Sequence, residues 1–503
     1  MTVEILARIQ FAFTAAFHYI YPPLSIGLGI ILVMMEGLWL RTGNPLYHNM
    51  ARFWTRIFAL TFAIGVATGI VMEFEFGTNW ATYSRFVGDI FGSALAAEGI
   101  FAFFLESGFL ALLLFGWNKV GPRMHFFATC MVAFGAHFSA VWIVVANSWM
   151  QTPAGYHLES VVGGKTVVLP PDHAVTTADL TSVRAVVDDF WAMVLNPSTL
   201  DRLTHVVLGA WLAGAFLVVS ISAYYLLRNR HVEFSRASLK IGLAFATVAC
   251  VLQMVSADFT AKGVARNQPE KLAALEGVYQ TVPSTPMTLF GYVDAGSEKV
   301  VGPKIPGLLS FLAWGSFTKP VPGLNELPSD AFLKSRHPNA AAGDLAGIRK
   351  QYWPNVPAVF QFYHVMIIAG VAMLALSLVA CFFWWRGWLF DLSRPLTRGV
   401  LVALVFSVLG PQIANQAGWF AAEVGRQPWI VYQMLKTSES LSKVVGANQI
   451  VASLILFGLV YALLFVMFIF LLTRKIHHGP DDEDESEKMP ESWKALIRTT
   501  PRA

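Results

Sequence analysis

Nine stretches of this chain are long enough and apolar enough to cross a lipid bilayer, and that limits the fold before any other feature is weighed. A crossing takes about 20 mostly apolar residues, and inside hydrocarbon only helices and closed barrels satisfy their own backbone. The stretches run at roughly 14–40, 54–77, 94–117, 124–147, 204–227, 237–257, 359–385, 399–420 and 450–473. They predict an all-α integral membrane protein with nine transmembrane helices. Of the 503 residues, 55% are hydrophobic and 14% charged, whereas soluble domains are roughly a quarter charged.

Lys and Arg in the short loops set the orientation. Loops 41–56, 118–123, 228–240 and 386–398 hold 12 basic residues, and loops 78–93 and 421–449 hold four. The alternation is unbroken and places the N-terminus outside and the C-terminus inside. Four regions follow: spans one to six in 1–257, with an outer loop at 148–203; a Pro- and Gly-rich outer loop at 258–358; spans seven to nine in 359–473; and an inner tail at 474–503. The run Asp481–Glu485 reads as a solvated acidic tail. No basic leader with a cleavage site precedes the first span, so that span is expected to be retained. A net charge of +4 is too small to point to nucleic acid.

Ionisable and metal-ligating side chains inside spans are costly and mark functional sites. With this topology His18, His205, Met366 and Glu423 all lie toward the outer side. His18 falls near the outer end of span one, His205 at the start of span five, Met366 in the first turns of span seven, and Glu423 just past span eight. Cys130, Cys250 and Cys381 form no ligand spacing, and no Cys-x-x-Cys-His is present for covalent haem. His, Met and carboxylate without clustered Cys suit haem iron better than zinc or an iron–sulfur cluster. At matched depth, His205 and Met366 suit the two axial positions of one six-coordinate haem. His18 and Glu423 would each leave an open position, as dioxygen requires. In span three, Glu98 and Glu106 are eight residues apart, about 80° around and about 12 Å along a regular helix. They read as proton-relay or haem-adjacent acids. Glu73 and Glu75 suit either that role or an interfacial one with the charge reaching the surface. His125 and His137 read as packed or hydrogen-bonded groups.

Several long motifs now carry a resemblance. Glu423-Val-Gly-Arg426-Gln-Pro-Trp429 follows Ala417-Gly-Trp419-Phe420. Gln10-Phe11 leads to His18. Gly65-Val-Ala-Thr-Gly69 runs through Met72-Glu73-Phe74 to Phe76-Gly-Thr-Asn-Trp80. Glu98-Gly99, Phe103-Phe-Leu-Glu106-Ser107 and Val145-Ala-Asn-Ser-Trp-Met-Gln151 complete the set. Together, over about residues 8–430, they resemble subunit I of cytochrome bd-type quinol oxidases.

The resemblance implies roles. His205 and Met366 match the ligands of a low-spin haem b. His18 and Glu423 match the ligands of two high-spin haems, one of type b and one usually of type d. Trp419 and Arg426 match residues near the haems, and Glu98 and Glu106 match acids on the proton route. Lys271 and Glu276, in Lys271-Leu-Ala-Ala-Leu-Glu276, match the quinol site, which makes 258–358 a quinol-binding loop of the short form. The substrates would be ubiquinol or menaquinol and dioxygen. The partners would be a second membrane subunit and a small single-span one, and the location the bacterial inner membrane. Family members often carry Arg two residues before the Met ligand, where this chain has His364. That is similar to the branch called cyanide-insensitive oxidases, some of which lack clear haem d spectra, so the third haem is d or a third b. His364 and Met366 would point about 200° apart on one helix, so only one of them can face the iron, and the resemblance favours Met366. A haem b electron carrier and a proton-coupled transporter are the rival classes. The first leaves His18 and Glu423 without second axial partners. The second predicts inverted repeats, and none is visible.

Overall fold

The structure is a computed structural model and describes residues 2–162, 164–170, 173, 175 and 179–481. Its helices are α1 (Val3–His18), α2 (Tyr21–Thr42), α3 (Pro45–Thr78), α4 (Ala81–Phe86), α5 (Gly88–Ala97), a π turn (Glu98–Phe103), α6 (Phe104–Phe115), α7 (Pro122–Gln151), α8 (Phe190–Val194), α9 (Thr199–Leu227), α10 (Val232–Asn267), α11 (Pro269–Glu276), α12 (Leu308–Trp314), α13 (Asp330–Arg336), α14 (Leu345–Lys350), α15 (Val356–Trp385), α16 (Pro395–Phe406), α17 (Leu409–Val424) and α18 (Ala447–His478). Among the described residues, eight runs are long and apolar enough to cross a membrane, with α1 and α2 counted as one run. The pair α16 and α17, bent by 40°, makes a ninth. The chain is a multi-pass helical membrane protein, as the nine stretches predict. Of the acidic tail, only Asp481 lies within the described residues.

Helix α9 is the hub. In its most apolar window 83% of residues are buried, against 11% for α18, and it packs on α2, α7, α10, α16 and α17. Small residues let α9 and α2 approach closely. A Cβ at Gly214 would lie 2.3 Å from the Gly27 carbonyl carbon, and one at Gly27 would lie 2.3 Å from the Ala210 oxygen. Short turns close one end of the bundle. The other end carries the long connections and is called here the loop-rich end.

Several boundaries depart from the sequence reading. The first span starts at Val3, not 14, so His18 lies about 22 Å along it rather than near its outer end. The helix breaks there because Pro22 and Pro23 carry no amide hydrogen for the carbonyls of His18 and Tyr19. Helix α17 braces the chain on either side of the break, with Gln416 donating to the Ala16 carbonyl at 2.7 Å and Gln412 to that of Ile20 at 3.3 Å. Helix α10 continues ten residues past 257, helped by the Lys262–Asp258 pair at 2.6 Å. It stops where Pro269 disfavours the helical conformation at Gln268. Glu423 lies in the last turn of α17, not beyond the helix.

Neither long loop is structureless. The 148–203 loop holds an antiparallel sheet of β1 (Tyr156–Val162), β2 (Lys165–Val168) and β3 (Val183–Val187) in the order β2-β1-β3. The 258–358 loop holds α11 to α14 and two antiparallel pairs: β4 (Met287–Thr288) with β7 (Lys304–Ile305), and β5 (Tyr292–Asp294) with β6 (Lys299–Val301). Its own apolar core joins Leu272, Tyr279, Leu309 and Leu324 to Val359 and Phe360 of α15. The short pair β8 (Trp429–Val431) and β9 (Leu435–Lys436) follows α17.

Gly214→Val is expected to lower stability by about 3 kcal/mol, the upper range for overpacking. A reduced thermal midpoint of the purified protein in detergent would register it, with Gly92→Ala, where a Cβ meets nothing within 4 Å, as the unaffected control.

Candidate haem and quinol sites

Helices α10 and α17 each pack on both α9 and α15, whereas α9 and α15 have little contact with each other. Helices α10 and α17 thus both link α9, which bears His205, to α15, which bears Met366. His205 projects from the second turn of α9 toward α10. There Gln253 Nε2 lies 3.1–3.2 Å from its ring nitrogens and Ser256 Oγ 3.4 Å from Nδ1. Met366 Sδ lies against Gly418 of α17, only 2.7 Å from where a Cβ would stand. His364 is buried and turned away. Its Nδ1 lies 2.8 Å from the Phe360 carbonyl and its Nε2 3.0 Å from that of Thr288. Both nitrogens are engaged by backbone, so of the two residues only Met366 is placed to meet an iron.

Glu423 is the centre of a polar knot. Its Oε2 accepts from Arg426 Nη2 at 2.5 Å, and its Oε1 accepts from Asn147 Nδ2 at 3.0 Å and Gln151 Nε2 at 3.5 Å. Asn147 in turn accepts from Arg202 of α9, and Gln151 Oε1 accepts from Lys271 Nζ. Asn147 and Gln151 stand four residues apart, so both project from one face of α7. Trp419, one turn back on α17, has its ring 6.4 Å from that of Phe11.

Lys271 and Glu276 sit on α11, five residues and therefore about 140° apart. Lys271 turns to α7 and Glu423, while Glu276 turns to α15 and bonds Tyr363. Tyr363 is three residues from Met366 and shares its face of the helix. Both α11 side chains are buried. Burial, with Arg202 and Arg426 nearby, holds the Lys271 ammonium well below the usual lysine range against the pull of Glu423. Burial pushes the Glu276 carboxyl up to about 7, with the Tyr363 bond opposing.

His18 Nδ1 lies 2.9 Å from Thr68 Oγ1. The Thr68 hydroxyl donates to the Ile64 carbonyl at 2.9 Å, so it accepts from His18 Nδ1–H. That tautomer carries its lone pair on Nε2, the nitrogen that could ligate a metal. Glu98 and Glu106 both face α7. Ser139 donates to Glu98 Oε1 at 2.7 Å, and a Cβ at Gly135 would lie 2.9 Å from Glu106 Cβ. The π turn between the two acids explains this. One extra residue per turn makes eight positions act as about seven, bringing the acids from about 80° to about 20° apart. His125 bonds Glu36 at 2.7 Å, and His137 accepts from Trp211 at 2.8 Å, so both are hydrogen-bonded groups as read from the sequence.

The residues fit haem. The four candidate ligands are all partly exposed. Buried Arg202 Nε, Arg426 Nη1 and Gln253 Oε1 have no hydrogen-bond partner among the described residues, and the two guanidinium groups suit the carboxylates of a porphyrin. Among the described residues no cluster of three or more His, Cys, Asp or Glu could hold a bare ion. One or two ligands per iron suffice when a porphyrin supplies the rest. Sequence reasoning missed Arg202, Gln253 and Tyr363. It quoted Asn147 and Gln151 within a motif but gave them no role. An Arg at the mouth of an apolar span was the available signal for Arg202.

Residues 6–480 match the family model for cytochrome bd terminal oxidase subunit I. The chain belongs to that family. It is 35% identical to the cytochrome bd-II ubiquinol oxidase subunit 1 of Escherichia coli, covering 94% of this chain and 96% of that one. It is also 35% identical to the cytochrome bd ubiquinol oxidase subunit 1 of Bacillus subtilis, at 97% and 96% coverage. The bd oxidase structure from Geobacillus thermodenitrificans superimposes with a TM-score of 0.78 at 27% identity, over 95% of this chain and 99% of that one. The alignment with the Escherichia coli chain spans 522 residues, more than this chain contains, so that relative carries segments absent here. A cytochrome bd subunit I is part of a terminal oxidase, and its family implies haem and a subunit II.

Arg426→Ala strips Glu423 of its only direct ionic partner among the described residues. The loss is expected to cost about 3–5 kcal/mol, as for other broken buried pairs, and to appear as a lower thermal unfolding midpoint.

Proposed function

We propose that this chain is the haem-bearing subunit of a quinol:oxygen oxidoreductase. In this reading it oxidises quinol at the loop-rich end, which faces outward, and takes protons for water formation from the opposite side. The observation that carries it is the bridging position of α11. Lys271 connects through Gln151 to Glu423, and Glu276 connects through Tyr363 to the turn that carries Met366. A quinol held at α11 would sit beside both a closed and an open iron site.

When bound, the haems supply the irons that carry electrons from quinol to dioxygen: a low-spin haem b between His205 and Met366, a high-spin haem b, and haem d or a third haem b, with His18 and Glu423 holding the open pair. Glu276, with its carboxyl up to about 7, is ready to take a proton from a quinol hydroxyl. Lys271, neutral more readily than an ordinary lysine, offers a second basic nitrogen. Arg202 and Arg426 orient Glu423 and neutralise charge around it. Trp419, one turn back from Glu423 on α17, packs on Phe11 of α1. Glu106 and Glu98, in register along α7, hold protons arriving from the short-turn end. Electrons from one side and protons from the other would build a membrane potential without a pump. The relatives' names include ubiquinol and menaquinol oxidases, which supports a quinol donor, and their designation as subunit 1 supports a second membrane subunit. A small single-span subunit and a bacterial inner-membrane location accompany this assignment.

Two measurements test it. The purified oxidase should consume oxygen with a reduced quinol and show a carbon monoxide-sensitive haem, and absence of either overturns the reading. Met366→Ala should open the closed site and enlarge the carbon monoxide difference spectrum. Glu276 ionises as pH rises through about 7, so turnover should climb across that window, and Glu276→Gln should abolish the climb. The same shift has a stability sign. A carboxyl raised above its unfolded value holds its proton in the fold, so its contribution is lost as pH rises from about 4.5 through about 7. Glu276→Gln should therefore unfold at higher temperature than wild type above pH 7 and lose that advantage in acid.

A further inference from the structure

Glu75 is the buried acid that the proposed function does not use. It is 2% exposed, so its head does not reach the membrane surface, whereas Glu73 two residues earlier is exposed. No described residue hydrogen-bonds either carboxylate oxygen. Its neighbours are Thr14 on α1 and Tyr461 on α18, at 0% and 2% exposure. The Thr14 hydroxyl lies between the carboxyl and the phenol, and none of these polar atoms completes a hydrogen bond of normal geometry.

These three groups belong to a longer seam. Gln10, Thr14 and His18 recur every four residues and so share one face of α1. Asn79, the residue that caps α3, is one turn from Glu75, and Thr68 is two turns farther in. At the loop-rich end Asn79 Nδ2 donates to Gln10 Oε1 at 2.9 Å, and Gln10 Nε2 donates to Ser453 Oγ at 3.0 Å. At the inner limit His18 meets Thr68. Three helices thus align polar groups from the rim of the bundle to His18 through surroundings that are otherwise apolar. A carboxyl placed here as a strut would have a partner. An unpaired charge at this depth costs several kcal/mol, so Glu75 can change its charge only when a compensating charge appears nearby. His18 lies one turn below Thr14.

We propose that Glu75, with Thr14 and Tyr461, forms a proton-exchange site that loads one proton from the loop-rich end when one electron reaches the iron held by His18, and releases it when that electron leaves. The electron comes from quinol, the proton from the aqueous phase through the Gln10–Asn79–Ser453 gate, and the net charge of the seam is unchanged. This rests on the reading of His18 as a haem ligand. The titratable groups on elements packed against this part of α3 are His18 on α1, Tyr21 on α2, Tyr461 on α18, Tyr83 and Arg85 on α4, and Glu106 on α6. Helix α10 meets α3 near the other end, through Trp54 and Ser238.

The test uses the complete oxidase and follows the haem signal that His18→Ala removes. In the wild type its midpoint potential should fall with pH by up to about 59 mV per unit, the equivalent of tenfold proton activity for one electron. Reduced-minus-oxidised infrared spectra should show a protonated-carboxyl band. Glu75→Gln should flatten the potential and erase the band while the haem spectrum persists. An unchanged slope and band in Glu75→Gln overturn the proposal. Should that variant not assemble, Tyr461→Phe decides, since a shifted band supports the site and an unshifted one removes it. If His18→Ala leaves every haem signal intact, the ligand assignment fails and the proposal falls with it, an outcome the Glu75 variants do not mimic.

Discussion

A carboxylate lodged where water is scarce has to be neutralised by the chain itself, and much of the loop-rich end is arranged around the way Glu423 is neutralised. Arg426 does this directly, from one turn along the same chain. Asn147 and Gln151 do it from α7, each relaying a further cation, Arg202 on α9 and Lys271 on α11. Four separate elements converge on one acid, and none supplies a complete partner alone. Helix α11 is tied into this convergence by its lysine, which donates to Gln151. Removing the acid would leave three buried cations to repel one another.

The bracing of the α1–α2 break has a similar logic. Pro22 and Pro23 break the helix deep in the bundle, and Gln416 and Gln412 of α17 bond the Ala16 and Ile20 carbonyls beside the break. The helix that bears Glu423 is therefore pinned to the turn that bears His18. Two candidate ligand residues at the ends of different helices are held in fixed relation by neutral amide side chains. Neutral amides suit this task, since they bond in both directions and add no charge to an apolar layer.

The nine crossings were legible because hydrocarbon forces long apolar runs on any helix that spans it. His205, Met366, His18 and Glu423 could be singled out as candidate ligands because such side chains stand out against that background. Their true depths were not legible. The start of the first helix at Val3 is hidden by Glu4 and Arg8, which face outward as an exposed pair. The extension of α10 beyond 257 is made of polar residues that carry no membrane signal. Asn147 and Gln151 were given no role, and Gln412 and Gln416 were passed over, for the same reason: an uncharged amide costs little enough that a sequence gives no alarm. Their importance is visible only in what they join.

The π turn at Glu98–Phe103 leads to a different kind of conclusion. Two acids that a regular helix would set on different faces are brought into phase by a single surplus residue, and both then meet α7. Their alignment is a matter of chain length rather than of side-chain identity. Within a family built on this span, a one-residue deletion would scatter the acids while leaving every glutamate in place, and ordinary substitutions around it would leave the alignment untouched. The inheritance of such a path is written in spacing, so a count of residues between the acids says more about it than their conservation does.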